Sequence, residues 1–497
     1  MSKVIIVGAG PAGLTLGAEL ASFGISCRIF EQRSCPSIHS RAFSLFTHTL
    51  ELLNMRGFAE EMIKNGLPIK ISPLGDGKNV LNLRELDSQF PYILSIPQTK
   101  TEEILEKYAV ICGAEIIRDA RVIGLSQDNS GVTIQIKQKE SVWSEQANFV
   151  VGCDGAKSTI RTLLNIQFDG MSYEQTLIHG DVHLRKPRKT FTYARTSRFG
   201  TGAVFPFKDG TFRMLLLDYE SMHIPADQPI TLDEFRESAS RLLDMDLEIY
   251  DPLWFSRFTC QQRHAKKYRV GQVLLAGDAA HTLLPAGGQG LQVSIQDAYN
   301  LGWKLASEIN GDAPPKLLDS YEFERRQIAI SSMRKSSLLF RYEVSRSIYA
   351  RIGRWLANKI IILFPVKKFI MNELFGLRTR YRLSNSIKNK HRLMGCRAKN
   401  FEVINLSYEN GARTDLHKLL RNRKFVLVDQ TTNIAFVDSI KYEYKNQIIR
   451  AIPKIKLKEF PDALLIRPDG FIAWASNRKS TAIEFKNELK RWLKSSS

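Results

Sequence analysis

The chain has 497 residues, 43% apolar and 25% charged, which excludes a disordered or fibrous protein and allows two to four domains. Its six cysteines (Cys27, Cys35, Cys112, Cys153, Cys260, Cys396) form no CxxC pair and no zinc spacing, which fits free thiols in a reducing compartment. The formal charge is +20, and it is uneven: Met333 to Asn400 holds 17 Lys and Arg against two acids, Glu343 and Glu373.

At the N-terminus, Val4-Ile5-Ile6-Val7 predicts a buried strand by its β-branched run. Glycines at 8, 10 and 13 with Pro11 break the apolar stretch where a signal peptide would continue. Gly8-Ala9-Gly10-Pro11-Ala12-Gly13 is a GxGxxG turn: the first glycine makes the turn, the second admits a pyrophosphate, and the third lets helix pack on strand. A helix to about Phe23 and a strand from Ser26 to Phe30 follow, ending at Glu31, a carboxylate placed to bind ribose hydroxyls. Together these predict a dinucleotide site without choosing NAD from FAD. Arg41 precedes a helix over Thr47 to Leu53 and reads either as a phosphate or flavin-edge contact or as a surface salt bridge.

Residues 66–87 read as loops and short strands, and Ile96-Pro97-Gln98 leads into a helix over Thr101 to Cys112. Strands are expected over Arg121 to Leu125, Gly131 to Ile136 and Ser144 to Val151. The last runs into Gly152-Cys153-Asp154-Gly155, with Ser158 and Arg161 opening a helix. Asp154 can position ribose or backbone there, and Arg161 can meet a pyrophosphate or a nicotinamide cofactor. From Phe168 to Gln262 strands dominate: Leu177 to Leu184, Thr190 to Arg195, Gly202 to Phe207 and Thr211 to Asp218, then a helix over Leu232 to Leu243. This inserted β-sheet reads as a substrate platform. Phe205, Pro206 and Phe207 either line an aromatic pocket or are plain core.

The third motif spans Leu275 to Leu305. A strand over Val273 to Ala276 ends in Gly277-Asp278; a loop with His281 and Pro285 follows, and Gly287-Gly288-Gln289-Gly290 opens a helix. Its apolar face is Leu291, Ile295, Ala298, Leu305 and Ile309. Asp278 suits a polyol such as a ribityl chain, and the glycine-opened helix start suits a flavin ring edge that becomes anionic on reduction. His281 is expected to be structural or a flavin-side contact rather than a base.

The basic stretch that follows interleaves apolar residues such as Leu338, Tyr349, Ile352, Trp355 and Ile360 with its charges. A solvated face, an anionic membrane surface and a polyanion contact compete here, and no nucleic-acid motif supports the last. No apolar run has the length of a membrane span; Ile360 to Phe364 stops at Pro365. Asn400 to Ser497 reads as its own α/β unit, with strands over Phe425 to Val428, Ile448 to Ile452, Ala463 to Ile466 and Phe471 to Ala475, and a helix capped by Ser480.

Three motifs in this order, GAGPAG with Glu31, CDGAKSTIR, and GDAAHTLLPAGGQG…QDAYNLGWKLA, resemble the single-component FAD aromatic hydroxylases of the para-hydroxybenzoate hydroxylase type. NGARTDLHKLL and FPDALLIRPDGFIAWAS resemble the thioredoxin-like C-terminal domain of the phenol, polyketide and rifampicin hydroxylase branch. The resemblance implies an α/β and α+β architecture. A discontinuous Rossmann-like FAD domain would take residues 1–70, 95–167 and 263–330, and a substrate sheet 71–94 and 168–262. A basic helical region (331–399) and a thioredoxin-like domain without redox cysteines (400–497) would complete the chain.

It implies FAD held by Gly8, Gly10, Pro11, Ala12, Gly13, Glu31, Gln32, Arg41, Gln98, Val122 and Asp154, with Gly277 and Asp278 at the ribityl chain. Pro285, Gly287, Gly288, Gly290, Leu291 and Gln292 would border the ring. Gln292 stands where such proteins usually carry Asn. The resemblance implies NADPH or NADH as transient donor, O2, and an aromatic substrate hydroxylated through a flavin C4a-hydroperoxide. The cofactor would carry this chemistry, so no side-chain nucleophile is needed. A cytoplasmic monomer or homodimer that binds no nucleic acid is expected, and the basic stretch over 333–400 leaves open a weak peripheral contact with the inner membrane face. Alternatives are a silent or uncoupled flavoprotein, an epoxidase, halogenase or reductase on the same fold, and an NAD dehydrogenase. No WxWxIP motif marks a halogenase.

Overall fold

The computed structural model describes residues 3–37, 40–74, 79–187, 192–361, 363–382, 391–406, 411–430, 444, 446–455, 460–476 and 481–494. Expectations for Thr190 and Ser480, and for Lys388 and Lys390 of the basic stretch, lie outside the described residues.

The first sheet forms from short β-branched runs that have water on neither face. Strand β1 (Val4–Val7) leads through the glycine turn into helix α1 (Pro11–Ser22) and then strand β2 (Cys27–Phe30). Helices α2 (Thr47–Asn54) and α3 (Gln98–Cys112) follow, then strand β3 (Phe149–Gly152) and the short helix α4 (Thr159–Leu163). Helix α3 starts three residues earlier than its periodicity suggests, because Pro97 sits at the cap and Gln98 is already helical.

The second sheet is antiparallel. It contains β4 (Phe168–Leu184), β5 (Gly200–Pro206), β6 (Phe212–Asp218), helix α5 (Leu232–Leu243) against one face, and β7 (Ile249–Ala265). Its strand order is Tyr193–Thr196, β5, β6, β4, β7 and His281–Thr282. The sequence analysis missed β7, and β4 begins nine residues before its expected start. Both long strands pair with each other through bulges, and their outer halves are partly exposed, so neither shows a clean alternation.

Strand β8 (Val273–Leu275) returns the chain to the first sheet, and helix α6 (Gln289–Asn310) runs beneath it. All residues from Leu291 to Ala306 are buried, so α6 is a central helix rather than one with a single apolar face. Helices α7 (Asp319–Val344), α8 (Ile348–Ile361) and α9 (Phe364–Leu374) form the basic region. The tail holds β9 (Phe425–Asp429), β10 (Ile448–Pro453), β11 (Ala463–Ile466), β12 (Ile472–Ala475) and α10 (Ala482–Leu489). This thioredoxin-like sheet pairs β9 and β10 in parallel and its other strands antiparallel. Thr481 caps α10 in a capping box with Glu484.

The first sheet sets the geometry of the site. Strands β8, β3, β1 and β2 lie side by side and parallel, with Val7 opposite Gly152 and Phe30, and Gly152 opposite Leu275. All four therefore end at one edge, where Gly8, Glu31, Asp154 and Asp278 follow within a few residues. Crevices at the carboxyl ends of parallel strands are where open α/β sheets bind ligands.

Candidate active site: a dinucleotide edge facing a sheet

Different glycines at this edge do different things. Gly8 (φ +105°) has no room for a side chain, since a Cβ would lie 2.4 Å from the Cys153 carbonyl oxygen. A Cβ on Gly13 would lie 2.0 Å from the Gly8 carbonyl oxygen. Those two let β1, α1 and β3 close on one another. Gly10 is unlike them: its φ of −82° suits any residue, and a Cβ there would meet nothing within 4 Å. The start of α1 carries no side-chain cap, so its N–H groups face open space, the arrangement that receives a pyrophosphate.

Glu31 is buried at the end of β2 and is braced by its neighbours. One carboxylate oxygen accepts from the Ala9 amide at 2.8 Å, and the other from the amide (2.9 Å) and Nε (3.0 Å) of Arg33. Burial pushes this carboxyl up, but the bonds from Arg33 and Ala9 outweigh that and hold it below its ordinary value. Gln32 is exposed beside it. The Ala120 amide donates to the Glu31 carbonyl, which brings Val122 close, but the Val122 side chain is buried, leaving only its main chain to meet a ligand. Asp154 accepts from the Ile160 amide at 3.0 Å with one oxygen; the other is buried with no partner, and burial raises its pKa.

The Asp278 turn is built on Asp297 of α6. Asp297 accepts from the Gly277 amide at 3.1 Å, His281 Nε2 at 2.6 Å and Arg325 Nε at 2.6 Å. Burial opposes its charge, yet His281 and Arg325 hold its carboxyl below the usual range. His281 is fully buried and serves this turn. Asp278 itself has no hydrogen-bond or ion-pair partner among the described residues; burial raises its pKa, countered by the charges of His281 and Arg41. An unpartnered carboxylate at a strand end suits the hydroxyls of a ribityl chain.

The start of α6 completes the edge. Gly287 (φ +80°) and Gly288 (φ +61°) adopt the left-handed region, and a Cβ on them would press on Leu339 at 3.2 Å and the Phe46 ring at 3.1 Å. Pro285 accepts the Gly288 amide, and Leu291 is buried in the first turn. Gly290 again has open space where a Cβ would be. Gln292 is buried, its oxygen accepting from the Phe46 amide at 3.1 Å and its nitrogen donating to the Ser44 carbonyl at 2.8 Å. Both ends of its amide are thus engaged with main chain. Gln98 braces the Arg41 loop in the same way, accepting from the Ala42 amide at 2.8 Å, while Arg41 is exposed. The open glycines, the unpartnered Asp278, the unbonded second oxygen of Asp154 and the two uncapped helix starts fit an extended FAD.

Comparisons with known proteins agree. A family model described as an FAD binding domain matches residues 1–336, and one described as the C-terminal part of an aromatic-ring hydroxylase matches residues 391–496. An uncharacterized aromatic compound monooxygenase of Bacillus subtilis is 34% identical, covering 95% of this chain and 94% of its own length. The chain belongs to the FAD-dependent aromatic-ring hydroxylases. Rifampicin monooxygenase of Streptomyces venezuelae is 32% identical, with 96% of each chain covered. The solved structure of OxyS anhydrotetracycline hydroxylase from Streptomyces rimosus matches with a TM-score of 0.87, 30% identity and 99% of each chain covered.

In this hydroxylase the second sheet presents one face to α5 and the other to the FAD edge. Ile178, Val182, Met214 and Leu216 pack with α5. The alternate residues form rows across the opposite face: Phe205, Arg213, Asp181 and Trp254, then Ala203, Leu215, His179 and Ser256. The first row is tied to the FAD domain. Arg213, fully buried, forms a bidentate pair with Asp181 and donates to the carbonyls of Ser40 and Arg41 at 2.8 Å each. The Trp254 indole also donates to Asp181, at 2.8 Å.

The second row carries a polar centre, His179 Nε2 at 3.0 Å from Ser256 Oγ, between the rings of Trp254 and Phe258. Phe205 stands against Phe43 with ring centroids 4.5 Å apart. Pro206 gives its carbonyl to Ser95, and Phe207 is buried beyond the strand end beside a separate cleft of about 1070 Å³ under α3.

Sequence reasoning missed Asp297, Arg325, Asp181, Arg213 and His179. Their signal was a charge inside an otherwise apolar run, as in HGDVHL and TFRMLL, where only a buried partner makes the residue tolerable. Arg161, which the sequence offers to a pyrophosphate or a nicotinamide cofactor, donates its guanidinium to the carbonyls of Ala279 (2.9 Å) and Ala156 (2.8 Å) and lies 3.7 Å from the Phe168 ring centroid.

Proposed function

We propose that this hydroxylase inserts one oxygen atom into a phenolic or polyketide-like aromatic, using O2 and a transient NADH or NADPH. Bound FAD supplies the redox chemistry, accepting hydride and activating oxygen. The chain's residues hold and shield it: Gly10 and the start of α1 take the pyrophosphate, Glu31 a ribose and Asp278 the ribityl hydroxyls. The start of α6, from Pro285 to Gln292, borders the ring with Arg41 opposite. The aromatic substrate lies between that border and the rows containing Phe205, Leu215, His179 and Ser256. The observation that carries this reading is the unpartnered Asp278 on a loop whose next residues, His281 and Thr282, are the last strand of the substrate sheet. One turn thus belongs to both the cofactor edge and the substrate floor.

We divide the chain accordingly into FAD (1–70, 95–167, 263–330), substrate (71–94, 168–262), basic helical (331–399) and thioredoxin-like (400–497) parts. The test is a screen of phenols, quinones and polycyclic aromatics for substrate-stimulated NAD(P)H oxidation, with product masses. A gain of one oxygen supports the reading; peroxide alone with every compound favours an uncoupled flavoprotein.

The reading includes a peripheral site at the inner face of an anionic membrane. No helix among the described residues is long and apolar enough to cross a membrane. Helices α8 and α9 nevertheless expose Tyr349 (82%), Trp355 (57%) and Phe364 (63%), with the Lys359 ammonium 4.0 Å from the Trp355 ring centroid. Exposed aromatics beside cations match an anionic bilayer surface. Co-sedimentation with anionic vesicles at low salt, lost at high salt, is expected; no pelleting at low salt removes this part.

A further inference from the structure

Glu343 has no role in the site described so far. It lies in the last turn of α7, where its carbonyl accepts the Tyr219 hydroxyl. Leu339, one turn earlier on the same helix face, stands against Gly287 at the expected ring border. Phe340 packs with Leu284, Ala286, Leu217 and Cys260, which joins α7 to both the ring-border loop and the substrate floor. Glu343 therefore stands where the chamber between flavin edge and sheet is closed off. Its carboxylate has no hydrogen-bond or ion-pair partner among the described residues, yet the side chain remains partly accessible deep in the molecule. A carboxylate so placed faces space rather than packed protein.

The titratable groups nearest it are Cys260 of β7, whose thiol feels the Glu343 charge, and Tyr219 after β6; behind them Tyr173 of β4 packs on Phe340, and the Arg346 guanidinium lies 5.6 Å from the Tyr219 ring centroid. A deep, unpartnered acid is costly unless a ligand uses it.

We propose that Glu343 is the base that accepts the proton of the substrate's phenolic hydroxyl, an inference that rests on the hydroxylase reading above. The substrate O–H bond breaks, its electron pair stays on the phenolic oxygen, and the proton forms an O–H bond on the carboxylate. The ring becomes more electron-rich and so a better acceptor of oxygen. Burial pushes the Glu343 carboxyl up to about 7, which suits proton exchange near neutral pH.

The test compares Glu343→Gln with the wild type, both loaded with FAD, using phenol and a nitrophenol that is already ionised at assay pH. Wild-type affinity for phenol, read from the flavin absorbance of the oxidised protein, should rise as pH goes from 6 to 8, while E343Q should show no such rise. E343Q should keep its flavin, lose roughly 10²-fold or more in kcat with phenol, and lose much less with the ionised nitrophenol. Equal losses on both substrates, or an unchanged pH dependence in E343Q, would overturn the assignment. Wild-type affinity that is flat between pH 6 and 8 would overturn it without any variant. Failure of the hydroxylase reading looks different: no phenol gains oxygen in the wild type, and the assignment falls with it.

Discussion

Nothing in the packing of the protein requires Gly10 or Gly290 to be small. Neither has a neighbour that a Cβ would touch, whereas Gly8 and Gly13 are forced by close backbone contacts. Gly10→Ala, at the extended cap of α1, should therefore fold with a nearly unchanged melting temperature, and Gly290→Ala, inside the first turn of α6, with a slightly raised one, since alanine favours a helix interior over glycine by about 1 kcal/mol. Both should hold flavin at least tenfold less tightly, by flavin content and titration, whereas Gly13→Ala should not accumulate as folded protein. Asp278 makes the complementary case. Its carboxylate is unpartnered, so Asp278→Ala should stabilise the flavin-free protein while lowering flavin affinity about 10- to 100-fold, the worth of a hydrogen bond to a charged group (about 1.5–3 kcal/mol). Unchanged flavin content in the purified variant would remove Asp278 from the site. The GxGxxG turn was readable because Gly8 and Gly13 stand where a Cβ cannot fit, and Glu31 and Asp278 stood out as acids that end apolar strand runs. Asp297 was not, because its three partners come from the turn, the loop and α7.

Elements differ in how plainly they were written. Helix α5 runs over Leu232–Leu243 as its periodicity predicts, with a Thr231 cap and Phe235, Ala239, Leu242 and Leu243 buried on one stripe. Strand β7 carries Pro252 and a bulge and shows no alternation, so only pairing with β4 defines it. The buried pair Asp181–Arg213 joins β4 and β6 to the loop that presents Arg41. Asp181→Asn leaves Arg213 as an uncompensated buried cation, so stability should fall by about 3–5 kcal/mol in denaturant unfolding. Replacing the pair together with apolar residues of similar volume should recover most of it.

Across the whole molecule, the thioredoxin-like part is docked through buried charges. Arg467 pairs with Glu324 of α7 (2.7 Å) and with Asp469; Lys304 of α6 also donates to Glu324, at 2.8 Å. Burial opposes charge on Glu324, but Arg467 and Lys304 bring its carboxyl down to about 2. Its folded value lies below the ordinary 4.5, so its contribution is present above that pH and disappears as pH falls toward 2. The amount is about 3 kcal/mol at 1.36 kcal/mol per pH unit. Thermal melting between pH 5 and 3 should fall more steeply in the wild type than in Glu324→Gln. None of this docking was visible in the sequence, where Glu324 and Arg467 stand 143 residues apart.

A second brace reaches further back. Arg56 pairs with Glu19 of α1 and also donates to the carbonyls of Leu420 (3.3 Å) and Pro468 (3.1 Å). The first nucleotide-binding helix is thus buttressed by residues translated more than four hundred codons later. A nascent chain can lay down its opening strand and turn early, but it must wait on the ribosome with a buried-type acid and arginine still bare. Early termination should therefore yield aggregating, chaperone-dependent fragments rather than a shorter working flavoprotein.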